Sequence, residues 1–287
     1  MSKLASTLRM IRFEHSVFAL PFALSGAWLA AGGLPPGLDL VLIVLAAVAA
    51  RSSAMAFNRI VDRDVDAANP RTANRELVTG ALDLRFAVLF TVVNSALFVA
   101  ASFLLAPICG WLSFPVLVVV LGYSLLKRFT LLCHFGLGVA LACAPSGAWL
   151  AVAKEFHPGW GLPLWIGGGV VSWVAGFDLL YAIQDLDFDR GAGLRSIPAR
   201  LGAQGTRLMS AILFVLAVSC WAVVGVLAGL SWPYFLGLSG CAALLLSMHL
   251  LVRGGREDRI PMVFFTVNSW VGVVYFVGLL AALGWAS

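Results

Sequence analysis

Two short acidic patches interrupt an otherwise apolar chain of 287 residues. The first patch contains Asn58, Asp62, Asp64 and Asp66, and the second contains Asp178, Asp185, Asp187 and Asp189. Together they hold seven of the 14 Asp and Glu residues. Because ionised side chains cost free energy near lipid, such clusters indicate a function. Their chemistry favours a site that binds divalent cations together with a strongly anionic ligand.

Helical geometry divides each patch into two sets of side chains. At about 100° per residue, three oxygen-bearing side chains of each patch fall within an arc of about 80° or less. We call these sets the first acidic face, Asn58, Asp62 and Asp66, and the second acidic face, Asp178, Asp185 and Asp189. Asp64 and Asp187 are expected to point elsewhere, toward solvent or loop arginines.

Two acidic faces that oppose each other would repel strongly unless cations lay between them. Carboxylate and amide oxygens are hard ligands that suit Mg²⁺ or Mn²⁺. Mg²⁺ uses few protein carboxylates and completes its coordination with water and the phosphate oxygens of a substrate. The two faces therefore predict metal ions that bridge the protein to a diphosphate.

An alternative interpretation is that the acids are solvated helix ends paired with Arg59, Arg63 and Arg190. Surface pairs of this kind, however, do not require matched triples on two helix faces. A calcium-binding EF-hand loop is excluded, because its sixth position is Ala67 in one patch and Arg190 in the other rather than glycine.

A third polar element, Tyr123-Ser-Leu-Leu-Lys127, ends the fourth apolar run. As residues i and i+4 of an α-helix, Tyr123 and Lys127 would share a face. A lysine beside a metal–diphosphate site would stabilise the negative charge that develops on the leaving group. Taken alone, the pair is equally compatible with an ordinary anchor at the membrane interface.

The elements that carry these residues are apolar. The chain is 61% hydrophobic and 11% charged, with a mean hydropathy of +0.96, which is typical of an integral membrane protein. A membrane-spanning helix needs about 20 apolar residues. Nine runs meet this requirement, at residues 14–33, 38–57, 84–105, 108–127, 131–153, 162–182, 207–229, 233–252 and 262–285. We expect an all-α fold of nine transmembrane helices, in a single domain covering residues 1–287.

The basic residues predict the orientation of these spans. All of the 19 Lys and Arg residues except Lys154 fall at one set of span ends. By the positive-inside rule, the N-terminus and both acidic patches face the cytoplasm, and the C-terminus faces the other side of the inner membrane. The basic start resembles a signal peptide, but eight further spans favour a retained first helix. The net charge of +5 requires no nucleic-acid partner.

The cysteines and histidines form no recognisable motif. The five cysteines include no C-x-x-C pair and are interpreted as small apolar helix residues. The four histidines are scattered without the spacing of a zinc site: His15, His134, His157 and His249.

The three polar elements follow the second, fourth and sixth apolar runs as N-x-x-x-D-x-x-x-D, Y-x-x-x-K and D-x-x-x-D. In this order they resemble the UbiA-type membrane aromatic prenyltransferases. The similarity extends over most of the chain and includes the stretch from Arg12 to Phe22. Residues 69–75 and 177–185 resemble the branch that prenylates 4-hydroxybenzoate, and they are also similar to a relative in the futalosine-type route to menaquinone.

The resemblance implies a central cavity with the aspartate motifs at its cytoplasmic mouth. It implies five ligands for two Mg²⁺ ions on a polyprenyl diphosphate, namely Asn58, Asp62, Asp66, Asp185 and Asp189. The diphosphate would contact Tyr123, Lys127, Arg71 and Arg195. Asp178 would lie at the reaction centre, with Lys127 and Tyr123 as further catalytic residues. Arg12 and Arg51 would hold the carboxylate of the acceptor.

The implied reaction belongs to the biosynthesis of ubiquinone or menaquinone. Departure of diphosphate leaves an allylic cation, and the ring of an aromatic acid similar to 4-hydroxybenzoate attacks it. Asp178 is the candidate base for the ring proton, and water must be excluded because it would convert the cation to an alcohol. The lipid bilayer would accommodate a long isoprenoid tail.

Other functions remain open at this point. Within the family, the acceptor could instead be haem, a chlorophyll precursor, an ether lipid or the futalosine-route precursor. A CDP-alcohol phosphotransferase also uses aspartates and metal at the membrane face, but its D-G-x-x-A-R element is missing here. A cation-coupled transporter would carry its acidic residues near the middle of the membrane.

Overall fold

The structure, a computed structural model, describes residues 3–12, 16–252 and 259–285. Its α-helices are α1 (Lys3–Met10), α2 (Ser16–Ala31), α3 (Gly37–Val61), α4 (Arg63–Ala68), α5 (Leu84–Leu105), α6 (Pro107–Gly122), α7 (Cys133–Ala153), α8 (Gly161–Ala182), α9 (Leu186–Gly191), α10 (Ile197–Leu227), α11 (Trp232–Leu251), α12 (Ile260–Met262) and α13 (Asn268–Trp285). Short 3₁₀ helices cover Tyr123–Arg128, Pro158–Trp160 and Ile183–Asp185, and a π-helical turn covers Val263–Val267. Residues 13–15 of the Arg12–Phe22 stretch, and the basic residues Arg253 and Arg256, lie outside the described residues.

The all-α prediction is confirmed, since the described residues contain no strand. Among the described residues, seven helical segments are long and apolar enough to cross a membrane: Gly37–Val61, Leu84–Leu105, Pro107–Arg128, Cys133–Ala153, Pro158–Gly191, Ile197–Leu227 and Trp232–Leu251. Two shorter apolar helices, Ala19–Ala31 and Asn268–Gly284, coincide with the other two predicted spans. The protein is therefore a multi-pass helical membrane protein.

The outer surface of the bundle is apolar. Val118 and Leu104 are each 73% exposed, and Val226 is 71% exposed. A soluble protein rarely exposes so many large apolar side chains in contiguous patches. Contact with lipid explains this surface, because in a membrane the hydrocarbon chains of the lipids surround these side chains and keep them away from water.

An aromatic cluster closes one side of the bundle where α2, α8, α10, α11 and α13 meet. The Phe22 ring centroid lies 5.1 Å from those of Trp173 and Tyr275 and 5.2 Å from that of Trp221. The Tyr234 hydroxyl lies 2.7 Å from the Trp221 carbonyl oxygen and 3.0 Å from the Tyr275 hydroxyl. These rings are buried and form part of the main hydrophobic core.

Both acidic patches lie where a long helix breaks. α3 ends at Val61 and α4 begins at Arg63, with Asp62 between them at φ −93° and ψ 3°. In the second patch, Asp185 separates the 3₁₀ turn after α8 from α9, at φ −99° and ψ 5°. The first aspartate of each D-x-x-x-D motif therefore has the same backbone conformation, as an internal duplication would produce.

Helices α7 and α8 approach closely at Gly138. A Cβ at this position would lie 2.7 Å from the Val171 carbonyl oxygen and 2.9 Å from the Val171 Cα. Small residues at such crossings let helix backbones pack in lipid. The same helix contains Gly147, where a Cβ would meet nothing within 4 Å.

Gly138→Ala should therefore lower the free energy of unfolding by about 1–3 kcal/mol, because α7 and α8 must move apart. Gly147→Ala is the matched control and should leave stability unchanged. The measurement is the fraction of monodisperse protein left after heating in detergent. Equal stability of the two variants would contradict this packing.

Candidate active site

A cavity of about 590 Å³ lies between α2, α3, α5, α6, α7 and α8. Its charged lining comes from α3, from the ends of other helices and from the loops after α1 and α4. Among the described residues, six cationic side chains line it, namely Arg12, Arg51, Arg59, Arg71, Arg75 and Lys127. Three carboxylates line it as well, namely Asp62, Asp178 and Asp185. The excess of positive charge favours an anionic ligand.

The deeper part of the cavity is apolar. α3 contributes a wall of small side chains, including Ala46, Ala50 and Ala54. The far end is lined by Ala151 and Trp160, close to the ends of α7 and α8 that lie opposite the acidic patches. A long apolar ligand with an anionic head would match this distribution of polarity.

In the first patch, Asp62 is held by its neighbours. Asn58 donates from Nδ2 to Asp62 Oδ2 at 2.8 Å, and the Arg128 guanidinium lies 3.9 Å from Oδ1. Burial raises the pKa of Asp62, and the nearby Asp66 raises it further, while Arg128 partly opposes the shift. A cation bound at this position would lower the pKa again.

The second acid of this patch, Asp66, forms a buried ion pair. Arg75 donates from Nη1 to both carboxylate oxygens, each at 2.6 Å. The Thr72 hydroxyl donates to the Asp66 carbonyl and ties the loop to α4. Asp66 is only 5% exposed, so its negative charge is stabilised mainly by this arginine rather than by water.

A turn after α4 carries Arg71 from the first patch across to the second. The Asn69 side chain accepts a hydrogen bond from the Arg71 amide at 3.0 Å, as in an Asx turn. Arg71 then donates to Asp185 from Nε at 2.8 Å and from Nη2 at 2.5 Å. Asn69 donates from Nδ2 to Asp185 Oδ1 at 3.1 Å. Arg71 also donates from Nη1 to the Tyr181 hydroxyl at 3.1 Å. Burial alone would lower the pKa of Arg71, but its bonds to Asp185 raise it overall.

The last acid, Asp189, is fully buried. The Lys127 ammonium lies 2.8 Å from its Oδ1. Neither carboxylate oxygen has a hydrogen bond of good geometry within the described ranges. Lys127 lies in the 3₁₀ helix Tyr123–Arg128. A 3₁₀ helix turns by about 120° per residue, so side chains four residues apart point about 120° away from each other. The prediction that Tyr123 and Lys127 share an α-helical face is therefore wrong, although both line the cavity.

Asp178 lies seven residues before Asp185, and its side chain is 26% exposed toward the cavity. Its partner is His134, at 2.7 Å between Nδ1 and Oδ2. Asp178 is thus the one cavity carboxylate among the described residues that is paired with an imidazole rather than with an arginine, a lysine or an amide.

The structure separates the predicted site residues into two groups. Those that line the cavity are Arg12, Arg51, Asn58, Asp62, Arg71, Tyr123, Lys127, Asp178 and Asp185. Asp66 and Asp189 lie behind them in ion pairs, and the Arg195 guanidinium donates to the Phe129 carbonyl instead. Asp64 and Asp187 are exposed, as the helical phase predicts.

The acids of both patches are paired with basic residues, as the alternative interpretation expects, but the basic residues are different ones. Arg71, Arg75, Lys127 and Arg128 hold the acids, whereas Arg190 donates to the Ala199 carbonyl. Within the described ranges, no three His, Cys, Asp or Glu side chains are grouped closely enough to hold a metal ion. The donor set nevertheless fits Mg²⁺, since it consists of hard oxygens and includes the unbonded oxygens of Asp189.

Sequence reasoning missed several residues of the site. Asn69, Arg75 and Tyr181 hold or flank the aspartates, and Arg59 is 5% exposed in the cavity wall. The many arginines close in sequence to the first patch could have pointed to Arg59 and Arg75 as residues of the site. His134 carried no signal, because its partner is 44 residues away in sequence.

The fold and site together define a helical membrane protein whose cavity has a charged mouth and an apolar interior. The model of the UbiA prenyltransferase family matches residues 19–270. The chain therefore belongs to the UbiA prenyltransferase family, and the predicted resemblance is confirmed. A 4-hydroxybenzoate octaprenyltransferase of Methylobacillus flagellatus is 32% identical over 285 residues, covering 98% of this chain and 94% of that protein.

Solved structures agree with this assignment. The apo structure of a UbiA homologue from Aeropyrum pernix has 34% identity and a TM-score of 0.84, covering 93% of this chain and 98% of its own. A UbiA homologue from Archaeoglobus fulgidus, solved with GPP and Mg²⁺, has a TM-score of 0.67 at 20% identity. It covers 96% of this chain and 99% of its own, and it shows that the fold is shared.

The buried ion pair between Asp66 and Arg75 is expected to stabilise the fold. Arg75→Gln leaves a buried carboxylate without its cation and should lower the free energy of unfolding by about 3 kcal/mol. Adding Asp66→Asn removes the uncompensated charge and should restore part of the loss. Thermal unfolding without Mg²⁺ or substrate measures both effects, and the exposed Arg63→Gln is the matched control. If Arg75→Gln is as stable as the control, the ion pair does not stabilise the fold.

Proposed function

We propose that the protein transfers a polyprenyl group from a polyprenyl diphosphate to the ring of an aromatic acid similar to 4-hydroxybenzoate, in quinone biosynthesis. One observation carries the proposal. Arg71 and Asn69, from the loop of the first acidic patch, bind Asp185 of the second patch at the mouth of an apolar cavity. This brings cationic and acidic groups together where a diphosphate would lie, above a chamber that suits a prenyl chain. The octaprenyltransferase name of the Methylobacillus relative supports this reaction class.

Mg²⁺ is the metal that this donor set favours, and the Archaeoglobus homologue was solved with it. We propose two ions, held by Asn58, Asp62, Asp66, Asp185 and Asp189. Bound there, the metal would neutralise the diphosphate and assist its departure. Because Arg71, Arg75 and Lys127 now neutralise three of these acids, ligand binding requires an exchange of partners. The acids would turn to the metal and the basic side chains to the phosphate oxygens.

Lys127 and Arg71 are well suited to that second role. Both line the cavity, and each already contacts a carboxylate, whose geometry resembles that of a phosphate oxygen pair. Once they bind the diphosphate, they would stabilise the charge that grows as the bond to C1 of the prenyl chain breaks. Tyr123 is placed in the same wall and would add a hydroxyl donor. Arg195 is assigned to the diphosphate on the resemblance alone.

The acceptor carboxylate is assigned to Arg12 and Arg51, which line the same cavity. Arg12 has a left-handed backbone at φ 48°, which is unusual outside glycine and occurs at functional positions. An acid held there would present its ring toward Asp178, which would accept the ring proton after the new bond has formed. The aromatic side chains Phe177 and Tyr181 lie beside Asp178 in the wall and would stabilise the cation through their faces.

We further propose that the two shorter apolar helices also cross the membrane, which gives nine spans. α2 has 16 residues and is about 24 Å long, slightly less than the hydrocarbon thickness. A modest mismatch of this kind is accommodated by local thinning of the bilayer. α13 continues from the π-helical turn at Val263–Val267 and has 18 residues of its own.

The same proposal sets the orientation in the inner membrane. The charged mouth is formed by the span ends that carry nearly all of the basic residues, so it would face the cytoplasm. Lys154 marks the opposite side, where it forms an ion pair with Asp39 at 2.8 Å. Soluble aromatic acids would then enter from the cytoplasm, while the prenyl tail remains in the apolar interior.

The direct test supplies the purified protein with one prenyl diphosphate, Mg²⁺, 4-hydroxybenzoate and competing aromatic acids. We expect release of diphosphate and a product heavier than one acid by one prenyl group, identified by mass spectrometry. A product formed only from a bicyclic naphthoic acid would move the assignment to the futalosine-route acceptor. Release of no diphosphate in the presence of any aromatic acceptor would contradict prenyl transfer.

Paired aspartate variants test the site. Asp62→Asn and Asp185→Asn should each reduce turnover by about two orders of magnitude or more, because each removes charge from the diphosphate site. Asp64→Asn and Asp187→Asn are the matched controls, since both side chains are exposed, and they should retain most activity. Size-exclusion profiles verify that all four variants insert and fold. Near-normal turnover of both Asp62→Asn and Asp185→Asn would rule out the assignment.

A further inference from the structure

His134 is the residue whose environment the proposed reaction does not yet explain. It lies in the first turn of α7 and is 3% exposed, although its ring reaches the lining of the cavity. α7 and α8 pack side by side, so the start of α7 lies next to Asp178 near the end of α8. The result is a contact of 2.7 Å between His134 Nδ1 and Asp178 Oδ2.

The chemistry of the contact defines the proton on the ring. An ionised carboxylate can only accept hydrogen bonds, so Nδ1 must carry the proton and donate it. Nε2 has no hydrogen bond within the described structure, although the Cys133 thiol lies nearby. The bond to Asp178 is therefore the principal polar engagement of a buried imidazole.

The pairing is selective with respect to the two oxygens of Asp178. His134 contacts Oδ2 at 2.7 Å, and the side chain of Asp178 remains 26% exposed. By contrast, Arg71 occupies both oxygens of Asp185, and Arg75 occupies both oxygens of Asp66. The contact on Oδ2 therefore leaves the second oxygen of Asp178, whose side chain lines the cavity, available to a substrate.

We propose that His134 is a positioning residue for Asp178, which it holds with Oδ1 directed at the acceptor ring. The proposal rests on the proposed function and deepens it. In the step concerned, the bond between C1 of the prenyl chain and the diphosphate oxygen breaks, and its electron pair leaves with diphosphate. A pair of ring π electrons forms the new carbon–carbon bond to C1. The ring C–H bond then breaks, its electrons restore aromaticity, and the proton goes to Oδ1 of Asp178.

The test compares three variants of the full-length protein in detergent or nanodiscs. His134→Leu removes the donor, whereas His134→Asn can place an amide N–H near the former Nδ1. His249→Asn is the matched control, because His249 lies outside the cavity and contacts Ser210 at 3.3 Å. The substrates are a prenyl diphosphate and 4-hydroxybenzoate, with and without deuterium at the two ring positions next to the hydroxyl.

We expect His134→Leu to lower kcat by about 10²-fold, with little change in KM for the prenyl diphosphate. A primary isotope effect absent from the wild type should appear, since removal of the ring proton becomes rate-limiting. His134→Asn should restore most of the rate and abolish the isotope effect. A loss of folding alone would reduce active protein without creating an isotope effect.

Two outcomes would overturn the proposal. One is a kcat of His134→Leu close to that of His249→Asn, or a slower reaction without an isotope effect. The other is a His134→Asn variant as slow as His134→Leu with the same isotope effect, which would make the imidazole itself the proton carrier. If the wild type prenylates a different aromatic acid, the same comparison is made on that acid, so failure of the acceptor assignment remains distinguishable from failure of the role of His134.

Discussion

The structure depends on the neutralisation of carboxylates at the edge of an apolar bundle. Asp66, Asp185 and Asp189 are buried, so water contributes little to the stabilisation of their charges. Arginine and lysine side chains stabilise these charges instead, and one of these contacts joins the loop after α4 to the end of α8. The mouth of the cavity is assembled by this pairing. In the proposed function, a ligand that supplies both metal cations and phosphate anions would replace these partners on both sides.

The duplicated break in the helices explains how two carboxylates come to the mouth. Asp62 and Asp185 adopt nearly the same backbone angles at the end of a long helix, and a short helix follows each of them. Each D-x-x-x-D motif therefore delivers its first acid to the cavity, while its second acid, Asp66 or Asp189, lies behind it in an ion pair. On the other side of the bundle, the aromatic cluster around Phe22 is buried, and the cavity lies between α2, α3, α5, α6, α7 and α8.

Much of this arrangement could be predicted from the sequence because it depends on local periodicity. Apolar runs predict the helices, and helical phase correctly separates the exposed Asp64 and Asp187 from the less exposed acids of the two faces. The contacts between elements could not be predicted in this way. The 3₁₀ turn at Tyr123–Arg128, the crossing of Arg71 to Asp185 and the bond of His134 to Asp178 all depend on how distant helices pack. A pattern of residue types carries no record of such pairings.

The central claim is that both acidic patches form a single site for a metal-bound diphosphate. The most direct measurement is an experimental structure of the protein with Mg²⁺ and an unreactive prenyl thiodiphosphate. The account predicts metal density between Asp62 and Asp185, with Arg71 and Lys127 moved from the aspartates onto the phosphates and the prenyl chain beside the alanines of α3. A diphosphate bound elsewhere, or one bound with both ion pairs intact and no metal at the aspartates, would contradict it.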